Sequence, residues 1–246
     1  MLVDAKLDEY DEYIGELKRL QTVDTVWDVL MKFVSPVGID ALSYYHFAHP
    51  GSIDFSARYF MAIGFEEDLV ANYRRSHDLI YGSFRSIRSL IIEPILWSQV
   101  FEKLSLTSAQ KDSLRKFYGH HPRNGLVLPV YGPHGRNGYV VLRFKEAKHE
   151  LSSANTNLVS FAANHAHLHF CRIQAENRSD VVYLTQREQE VLTWVARGKS
   201  NTVIAEIVGI SQHTVNGYLR RIYLKTRTSD RTSATLRAIG DSLIEF

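Results

Sequence analysis

The chain has 246 residues, of which 45% are hydrophobic and 23% charged, so it is long enough for two globular domains with sizeable cores. Its 29 Lys and Arg against 27 Asp and Glu leave a formal net charge of +2, which by itself indicates no nucleic-acid partner. Cys171 is the only cysteine, which excludes an intramolecular disulfide and a zinc site built from several thiolates.

The longer, N-terminal part of the chain predicts an α+β domain. Apolar residues recur at helical spacing over residues 5–34, and a long helix is predicted over Ser152–Ala175. Helices around an antiparallel sheet make residues 1–174 an α-β-α sandwich, and a polar linker follows at 175–183. The other predicted elements are strands over Ala41–Ala48, Phe55–Ile63, Gly125–Tyr131 and Gly138–Phe144, and helices over Glu66–Ser76 and Leu104–Tyr118.

Residues 184–246 predict an all-α domain of four short helices. Thr185 and Glu188 form a T-x-x-E capping box at the start of the first helix. Glycines follow the first and second helices, and Ser211 is placed to cap the third. The domain therefore has local start and stop signals for most of its helices.

The third helix of this domain separates an apolar face from a polar, cationic one. A short helix, a glycine turn and a helix with such an outer face form the helix-turn-helix pattern, which fits the major groove of DNA. From Leu184 onward nine Lys and Arg stand against six Asp and Glu, so the basic excess of the chain also lies here. The residues predicted to pack inward are Val215, Tyr218, Leu219 and Ile222, and those on the outer face are His213, Asn216, Gly217, Arg220 and Arg221.

This segment resembles the C-terminal DNA-binding domain of the LuxR family of bacterial regulators. It departs from the family at Asn216, which replaces a basic residue, and at Thr226, which replaces a leucine. The resemblance implies a transcription regulator that binds a pseudo-palindromic operator as a homodimer. The family motifs are matched in order: L-T-x-R-E-x-E-V-L at Leu184–Leu192, G-K-[ST]-N-x-x-I-A at Gly198–Ala205 and S-x-x-T-V at Ser211–Val215.

The outer face of the third helix predicts how bases are read. Asn pairs bidentately with adenine and Arg with guanine, so Asn216 and Arg220 are expected to contact base edges. His213 or Arg221 is expected to assist them. These residues would give the protein its sequence preference.

Other residues of the same domain have expected roles in positioning. Thr214 and Lys225 are expected to contact phosphates. Gly217 costs about 1 kcal/mol relative to Ala inside a helix, so it either lets the backbone approach DNA closely or is a tolerated replacement. The fourth helix, with Ala234 and Ile239, is expected to contribute to the dimer, and a heterodimer with a related subunit stays open.

The N-terminal domain is similar, over fewer positions, to the LuxR-family domain that binds acyl-homoserine lactones. Tyr73, Trp97 and Gly125 match family residues, whereas Leu69 stands where the family has Trp and Gly82 where it has Asp. On a later strand a valine replaces the polar Ser or Thr of the family. The resemblance implies a ligand site, whose candidate residues are Phe65, Leu69, Tyr73, Gly82, Trp97 and Val141.

Two of these replacements argue against an ordinary acyl-homoserine lactone. In the family the Asp carboxylate accepts the amide N–H of the ligand and the Trp indole donates to the lactone carbonyl. Neither Gly82 nor Leu69 provides such a bond, so an ordinary lactone is the less expected ligand. Two alternatives stay open: another small apolar ligand, or a ligand-independent domain that serves only homo- or heterodimerisation. Core packing explains Tyr73 and Trp97 equally well if the pocket is closed.

Several other functions are not expected. His165 and His169 have the spacing of a metal-binding pair, but no Glu lies between them as in H-E-x-x-H, so no metal site is predicted. No cofactor is predicted, and no enzyme is expected because the chain has no nucleophile–base pair, phosphate loop or paired-carboxylate motif. No hydrophobic run reaches the length of a membrane helix and the N-terminus is not a signal peptide, so we expect a cytoplasmic protein without a membrane partner.

Overall fold

The structure of the chain is a computed structural model that divides into two compact units. One unit comprises Met1–His46, Tyr59–Pro133 and Asn137–Glu176, and the other comprises Phe47–Arg58, His134–Arg136 and Asn177–Phe246. In the part of the chain that is described, no helix has the length and hydropathy needed to cross a membrane. The described residues are 2–49, 51–52, 59–72, 74–75, 91–103, 106–109, 111–112, 115, 125–146, 151–177 and 181–244.

The first unit is an α+β sandwich, as predicted. Its strands form one sheet in the order β2-β1-β5-β4-β3, and β1 with β2, β3 with β4 and β4 with β5 pair antiparallel. The helices are α1 (Leu2–Arg19), α2 (Val23–Val34), α3 (Trp97–Lys103) and α4 (Ser153–Glu176), with 3-10 turns at Ser35–Val37 and Pro133–Gly135. The strands are β1 (Ile39–Phe47), β2 (Phe60–Ile63), β3 (Ile95–Leu96), β4 (Gly125–Tyr131) and β5 (Asn137–Phe144).

The two faces of the sheet carry different side chains because successive strand residues point to opposite sides. What we call the helix face packs with α2 and α4 in one apolar core, and it includes Leu42, Tyr44, Leu128 and Leu142. The opposite face is also buried and includes Tyr45, Val127, Tyr139 and Val141. The sheet is therefore covered on both sides.

The structure differs from the sequence-based expectations mainly at short elements. The sequence predicts neither β3 nor α3, because a two-residue strand has no periodicity of its own and forms by pairing with β4. Strand β2 begins at Phe60 rather than at the predicted Phe55, and residues 53–58 lie outside the described part. Of two predicted helices, residues 67–72 and 74–75 in one and 108–109, 111–112 and 115 in the other are helical, and most of the remainder lies outside the described residues.

The second unit contains the four predicted helices: α5 (Gln186–Ala196), α6 (Asn201–Val208), α7 (Gln212–Thr226) and α8 (Arg231–Gly240). The capping box is confirmed, since Thr185 Oγ1 accepts from the N–H of Glu188 at 3.3 Å and Glu188 Oε2 accepts from the N–H of Thr185 at 2.7 Å. Gly209 ends α6 with φ at +71°, a left-handed conformation that most side chains avoid. The turn between α6 and α7 is thus specified by local chemistry.

The apolar sides of α5 to α8 meet in one core. Ala234 of α8 is fully buried there and offers no surface to a partner, whereas Ile239 is half-buried and Leu236 is 50% exposed. A contribution of α8 to the dimer stays a prediction. Thr226 is buried where the family usually has leucine, and its hydroxyl donates to the carbonyl oxygen of Ile222 at 2.8 Å. The core consists mainly of Val191, Leu192, Val195, Ile204, Val215, Leu219, Ile222, Ala234 and Ala238.

Candidate nucleic-acid interface

Helix α7 has the two faces that its sequence predicts. Val215, Leu219 and Ile222 are buried in the core of the second unit, and Tyr218 is half-buried beside them. Because these residues recur at helical spacing, the intervening side chains are turned to solvent. All seven predicted DNA contacts are exposed: His213, Thr214, Asn216, Gly217, Arg220, Arg221 and Lys225.

These seven residues differ in whether their side chains already form hydrogen bonds or ion pairs with other residues of the described chain. Within the described part of the chain, neither Arg220 nor His213 has a hydrogen bond or an ion pair. An unpaired, exposed guanidinium retains all five of its N–H donors for a partner. Arg220 is therefore the strongest candidate for base contact among the predicted residues.

Asn216 is held by the preceding helix. Its Oδ1 accepts a hydrogen bond from Nδ2 of Asn201 at 2.7 Å. This bond fixes the orientation of the Asn216 amide and leaves its two N–H donors, together with the second lone pair of Oδ1, directed to solvent. This pairing is not predictable from the sequence, because residues 15 positions apart on different helices share no local pattern.

Thr214 has a structural role in the first turn of α7. Its N–H donates to Ser211 Oγ at 3.0 Å, which caps the helix, and the two hydroxyl oxygens lie 2.8 Å apart. The N-terminus of a helix favours anions, and the predicted phosphate contact of Thr214 stays a prediction. Thr214 thus orders the turn that a phosphate would approach.

Glu188 joins two of the predicted cations to the first helix of the unit. Its carboxylate receives Lys225 Nζ at 2.6 Å and lies 4.0 Å from Nε of Arg221. The guanidinium carbon of Arg221 also lies 4.6 Å from the ring centre of Tyr218. Lys225 and Arg221 therefore contribute to the packing of α7 against α5, a role that sequence analysis missed.

The pKa of Glu188 reflects this network. Burial by itself would raise the pKa of this carboxyl, but hydrogen bonds from Lys225 and Thr185 outweigh burial, so its pKa lies below the ordinary value of 4.5. Glu188 is consequently ionised at neutral pH. Its negative charge offsets part of the positive potential of the outer face.

Gly217 lies in the middle of the exposed face of α7. A Cβ atom built there would meet no other atom of the described chain within 4 Å, so nothing within the subunit requires a glycine. The helical propensity of glycine is poor, and its presence here weakens the helix. The space above Gly217 is open to a partner.

Two of the predicted ligand residues, Trp97 and Val141, lie on the opposite face of the sheet. Val141 of β5 lies on the opposite face and is almost fully buried. Arg143, two residues after Val141 on β5, has its guanidinium carbon 4.8 Å from the ring centre of Phe65. A Cβ on Gly125, which is paired with Arg143, would lie 3.7 Å from the Cβ of Trp97 and 2.7 Å from a carbonyl oxygen. Trp97 therefore covers the same face, and the close approach explains the glycine.

The remaining ligand candidates are less well defined. Leu69 lies half-buried in the helical residues that follow β2. Tyr73 and Gly82 lie outside the described residues, so their predicted roles stay predictions. Trp97 and Val141 thus lie on one face of the sheet, and Phe65 contacts Arg143, which projects from that face.

Comparison with known proteins matches two family models to two successive parts of the chain. Residues 182–238 match the luxR family of bacterial regulatory proteins, and residues 22–170 match the autoinducer binding domain. The HTH-type transcriptional regulator y4qH of Sinorhizobium fredii is 28% identical over 254 residues, covering 96% of this chain and 75% of that protein. The transcriptional activator AhyR of Aeromonas hydrophila is 25% identical over 247 residues, covering 97% of this chain and 93% of AhyR.

Solved structures show the same fold. Escherichia coli SdiA superposes with a TM-score of 0.77 at 18% sequence identity, covering 100% of both chains. A structure of SdiA in complex with octanoyl-rac-glycerol superposes with a TM-score of 0.73 at 18% identity, covering 93% of this chain and 92% of that one. The two domain matches, in this order and over most of the chain, show that it belongs to the LuxR family of bacterial transcriptional regulators that carry an autoinducer binding domain.

Proposed function

We propose that this regulator binds a two-fold symmetric operator as a homodimer and responds to a small apolar ligand other than an ordinary acyl-homoserine lactone. The observation that carries the ligand proposal is the composition of the opposite face of the sheet. Trp97 and Val141 lie there, Phe65 contacts Arg143 of the same face, and Leu69 takes the place of the family's indole donor. Apolar contacts are favoured at such a face over hydrogen bonds to a lactone.

The DNA part of the proposal is supported by the outer face of α7. Arg220 is exposed and has no partner in the described chain, and Asn216 has an amide of fixed orientation one helical turn away. Arg220 is assigned to a guanine and Asn216 to an adenine in the major groove. Lys225 and Arg221, which are shared with Glu188, are assigned to phosphates.

The homodimer is supported by exposed apolar side chains on α4. Phe161 and Leu168 lie seven residues apart, on one face of the helix, and are 65% and 38% exposed. Burial of an aromatic side chain at a two-fold contact stabilises a dimer by removing apolar surface from water. Two copies would present two α7 helices to half-sites about one turn of DNA, roughly 34 Å, apart.

The fold of the first unit guides the choice of ligand. SdiA, which shares this fold, was solved with octanoyl-rac-glycerol, an ester without a lactone ring or an amide. Such a molecule does not require the carboxylate and indole partners that Gly82 and Leu69 lack. We therefore propose acylated polyols of medium chain length as the ligand class.

Octanoylglycerol is expected to raise the Tm of the full chain, because a ligand that binds only the native state stabilises it by mass action. Each kcal/mol of binding raises the Tm by about 2–4 °C for a chain of this length. N-octanoyl-homoserine lactone, which has the same acyl chain, is expected to give a smaller shift at equal concentration. Thermal unfolding followed by circular dichroism measures both.

A paired variant is the control for this experiment. Leu69→Trp combined with Gly82→Asp restores the two partners of a lactone and is expected to shift the preference towards the lactone by about 1–3 kcal/mol. An equal or larger lactone shift in the unmodified chain contradicts the ligand proposal. No shift with either compound supports the second candidate, a first domain that serves only dimerisation, which the near-complete burial of Trp97 and Val141 by the chain itself also favours.

Gly217→Ala is expected to have opposite effects on folding and on DNA binding. The unfolding free energy of the second unit rises by about 1 kcal/mol, because Ala is the better helix former and its Cβ meets nothing in the subunit. Operator affinity falls, because the methyl group occupies the space between α7 and the DNA. Denaturant titration and fluorescence anisotropy with duplexes selected from a random pool measure the two effects.

Gly15 offers a matched control for this substitution. It lies inside α1, and a Cβ there also meets nothing within 4 Å. Gly15→Ala is expected to stabilise the first unit by a similar amount and to leave operator affinity unchanged. If Gly217→Ala binds the operator as well as the original chain, Gly217 is a tolerated replacement and the proposed close approach is wrong.

A further inference from the structure

Three side chains with metal-binding chemistry meet in the buried core of the first unit. His46 lies at the end of β1, and His167 and Cys171 lie one turn apart on α4. In the described part of the chain, one ligand atom from each of the three lies within 4.8 Å of the others. His46 and His167 are 121 positions apart, so no local pattern in the sequence connects them.

The separation of two of these atoms fits a shared cation. Cys171 Sγ and His167 Nε2 are 3.6 Å apart. An ion bound at about 2.3 Å from sulfur and 2.0–2.1 Å from nitrogen holds these atoms roughly 3.5–3.8 Å apart, for tetrahedral to trigonal angles. The pair thus already has the spacing of two ligands of one ion.

Tyr44 orients both imidazole rings. Its hydroxyl oxygen lies 2.7 Å from Nδ1 of His167 and 3.2 Å from Nδ1 of His46. Imidazole ligands of metals usually donate their other ring N–H to an oxygen, which fixes the tautomer and the ring plane. Nδ1 of His167 faces Tyr44, and Nε2 of the same ring is the nitrogen that lies 3.6 Å from Cys171 Sγ.

The surroundings of the cluster are aromatic and exclude water. His167 is fully buried, and Cys171 and His46 are nearly so. Phe170 lies 5.1 Å from the ring of His46, and Trp27 stacks on Tyr44 with ring centres 3.7 Å apart. An ion in such a site must carry little net charge, because an uncompensated charge in an apolar core is costly.

We propose that His46, His167 and Cys171 form a binding site for a thiophilic d10 cation, and that Cu⁺ fits it better than Zn²⁺. Thiolate and imidazole are the ligands that these two ions prefer in proteins. One thiolate cancels the charge of Cu⁺, whereas Zn²⁺ leaves a net charge of +1 in the dry site. The ion joins β1 to α4 on the helix face of the sheet, so the site is independent of the proposed ligand on the opposite face.

The proposal is tested by anaerobic titration of the reduced 246-residue chain. In one experiment the cation is added before the chain is refolded, and in another it is added afterwards. Cu⁺ is supplied from its complex with a coloured chelator, and Zn²⁺ in a parallel arm competes with a chromophoric indicator. One equivalent of Cu⁺ per chain is expected to leave the chelator. A thiolate-to-Cu⁺ charge-transfer band in the ultraviolet is expected, which reports ligation by Cys171 without any substitution.

Variants locate the site. Cys171→Ser is expected to weaken Cu⁺ binding at least about 100-fold, and Tyr44→Phe, which removes only the orienting hydroxyl, about 10- to 100-fold. His169→Gln is the matched control, because His169 lies on the same helix two residues from His167 and forms an i, i+4 pair with His165 instead. It is expected to bind Cu⁺ as the original chain does. Far-ultraviolet circular dichroism confirms that each variant is folded, and His46→Gln replaces any variant that is not.

Each other outcome contradicts part of the proposal. If the original chain takes up neither Cu⁺ nor Zn²⁺, the cluster is a hydrogen-bonded core and the site does not exist. Loss of binding in His169→Gln places the ion on the outside of α4 and also overturns the site. Preference for Zn²⁺ with loss in Cys171→Ser supports the site and overturns the choice of Cu⁺.

Discussion

Arg220→Ala is expected to weaken binding to the operator by about 1–3 kcal/mol, which is roughly a 5- to 150-fold loss of affinity. The unfolding free energy is expected to change by less than about 0.5 kcal/mol, because the side chain is exposed and has no partner in the described chain. Fluorescence anisotropy with selected operator duplexes and denaturant titration measure the two quantities. Affinity for unrelated DNA is expected to fall much less, because a base contact is lost.

Two further variants make the Arg220 experiment specific. Arg19 is an exposed arginine of α1, so Arg19→Ala makes the same change in net charge and is expected to leave operator affinity unchanged. Arg221→Ala is expected to weaken binding to operator and unrelated DNA alike, as a phosphate contact does. An unchanged operator affinity in Arg220→Ala, or an equal loss on all sequences, contradicts the assignment of Arg220 to a base.

Glu188→Ala is expected to lower the unfolding free energy of the second unit by about 1–3 kcal/mol at neutral pH. The substitution removes the capping-box bond to Thr185 and the ion pair with Lys225. The ion pair contributes the smaller part of the loss, because Lys225 is partly exposed and solvent screens its charge. Glu188→Gln keeps an acceptor for the cap and is expected to lose less. Glu190→Ala on the same helix removes an exposed pair with Arg187 and is expected to change stability by less than about 0.5 kcal/mol.

The unfolding free energy of the second unit is expected to depend on acidic pH through the pKa of Glu188. A carboxyl whose pKa is lower in the folded state stabilises the fold fully above its ordinary pKa of 4.5, and this contribution is lost as the pH falls through the folded value. The unfolding free energy of Glu188→Gln is therefore expected to fall less on acidification. Hydrogen bonds from Ser233 also lower the pKa of Asp230, which caps α8, so part of the pH dependence remains.

The same Glu188 variants bear on DNA binding. They release Lys225 and Arg221 from their shared carboxylate, so affinity for DNA is expected to stay the same or rise while the variant is folded. If folded Glu188→Gln binds DNA more weakly than the original chain, the carboxylate positions these cations for phosphates instead of competing with them. Anisotropy titrations at two salt concentrations distinguish the two roles, since the number of phosphate contacts sets the salt dependence.

Sequence patterns predicted correctly those elements whose determinants lie within a few residues of one another. The capping box at Thr185 and the cap at Ser211 involve residues three positions apart, and both are confirmed. Strand β3 escaped prediction because two residues contain no period and its pairing partner, β4, begins some thirty residues later. The family resemblance indicates the residues of the candidate ligand site, whereas the position of Trp97 and Val141 on one face of the sheet depends on the strand register.

The sequence by itself determined the helix-turn-helix domain and its exposed cationic face, because caps, glycine stops and a helical apolar period act within a few residues. Only the tertiary structure decided which of those cations are free: Glu188 engages Lys225 from 37 residues away and leaves Arg220 without a partner in the described chain. It alone brought His167 to Tyr44, 123 residues apart. Such contacts depend on how helices and sheet pack, and no local pattern encodes them.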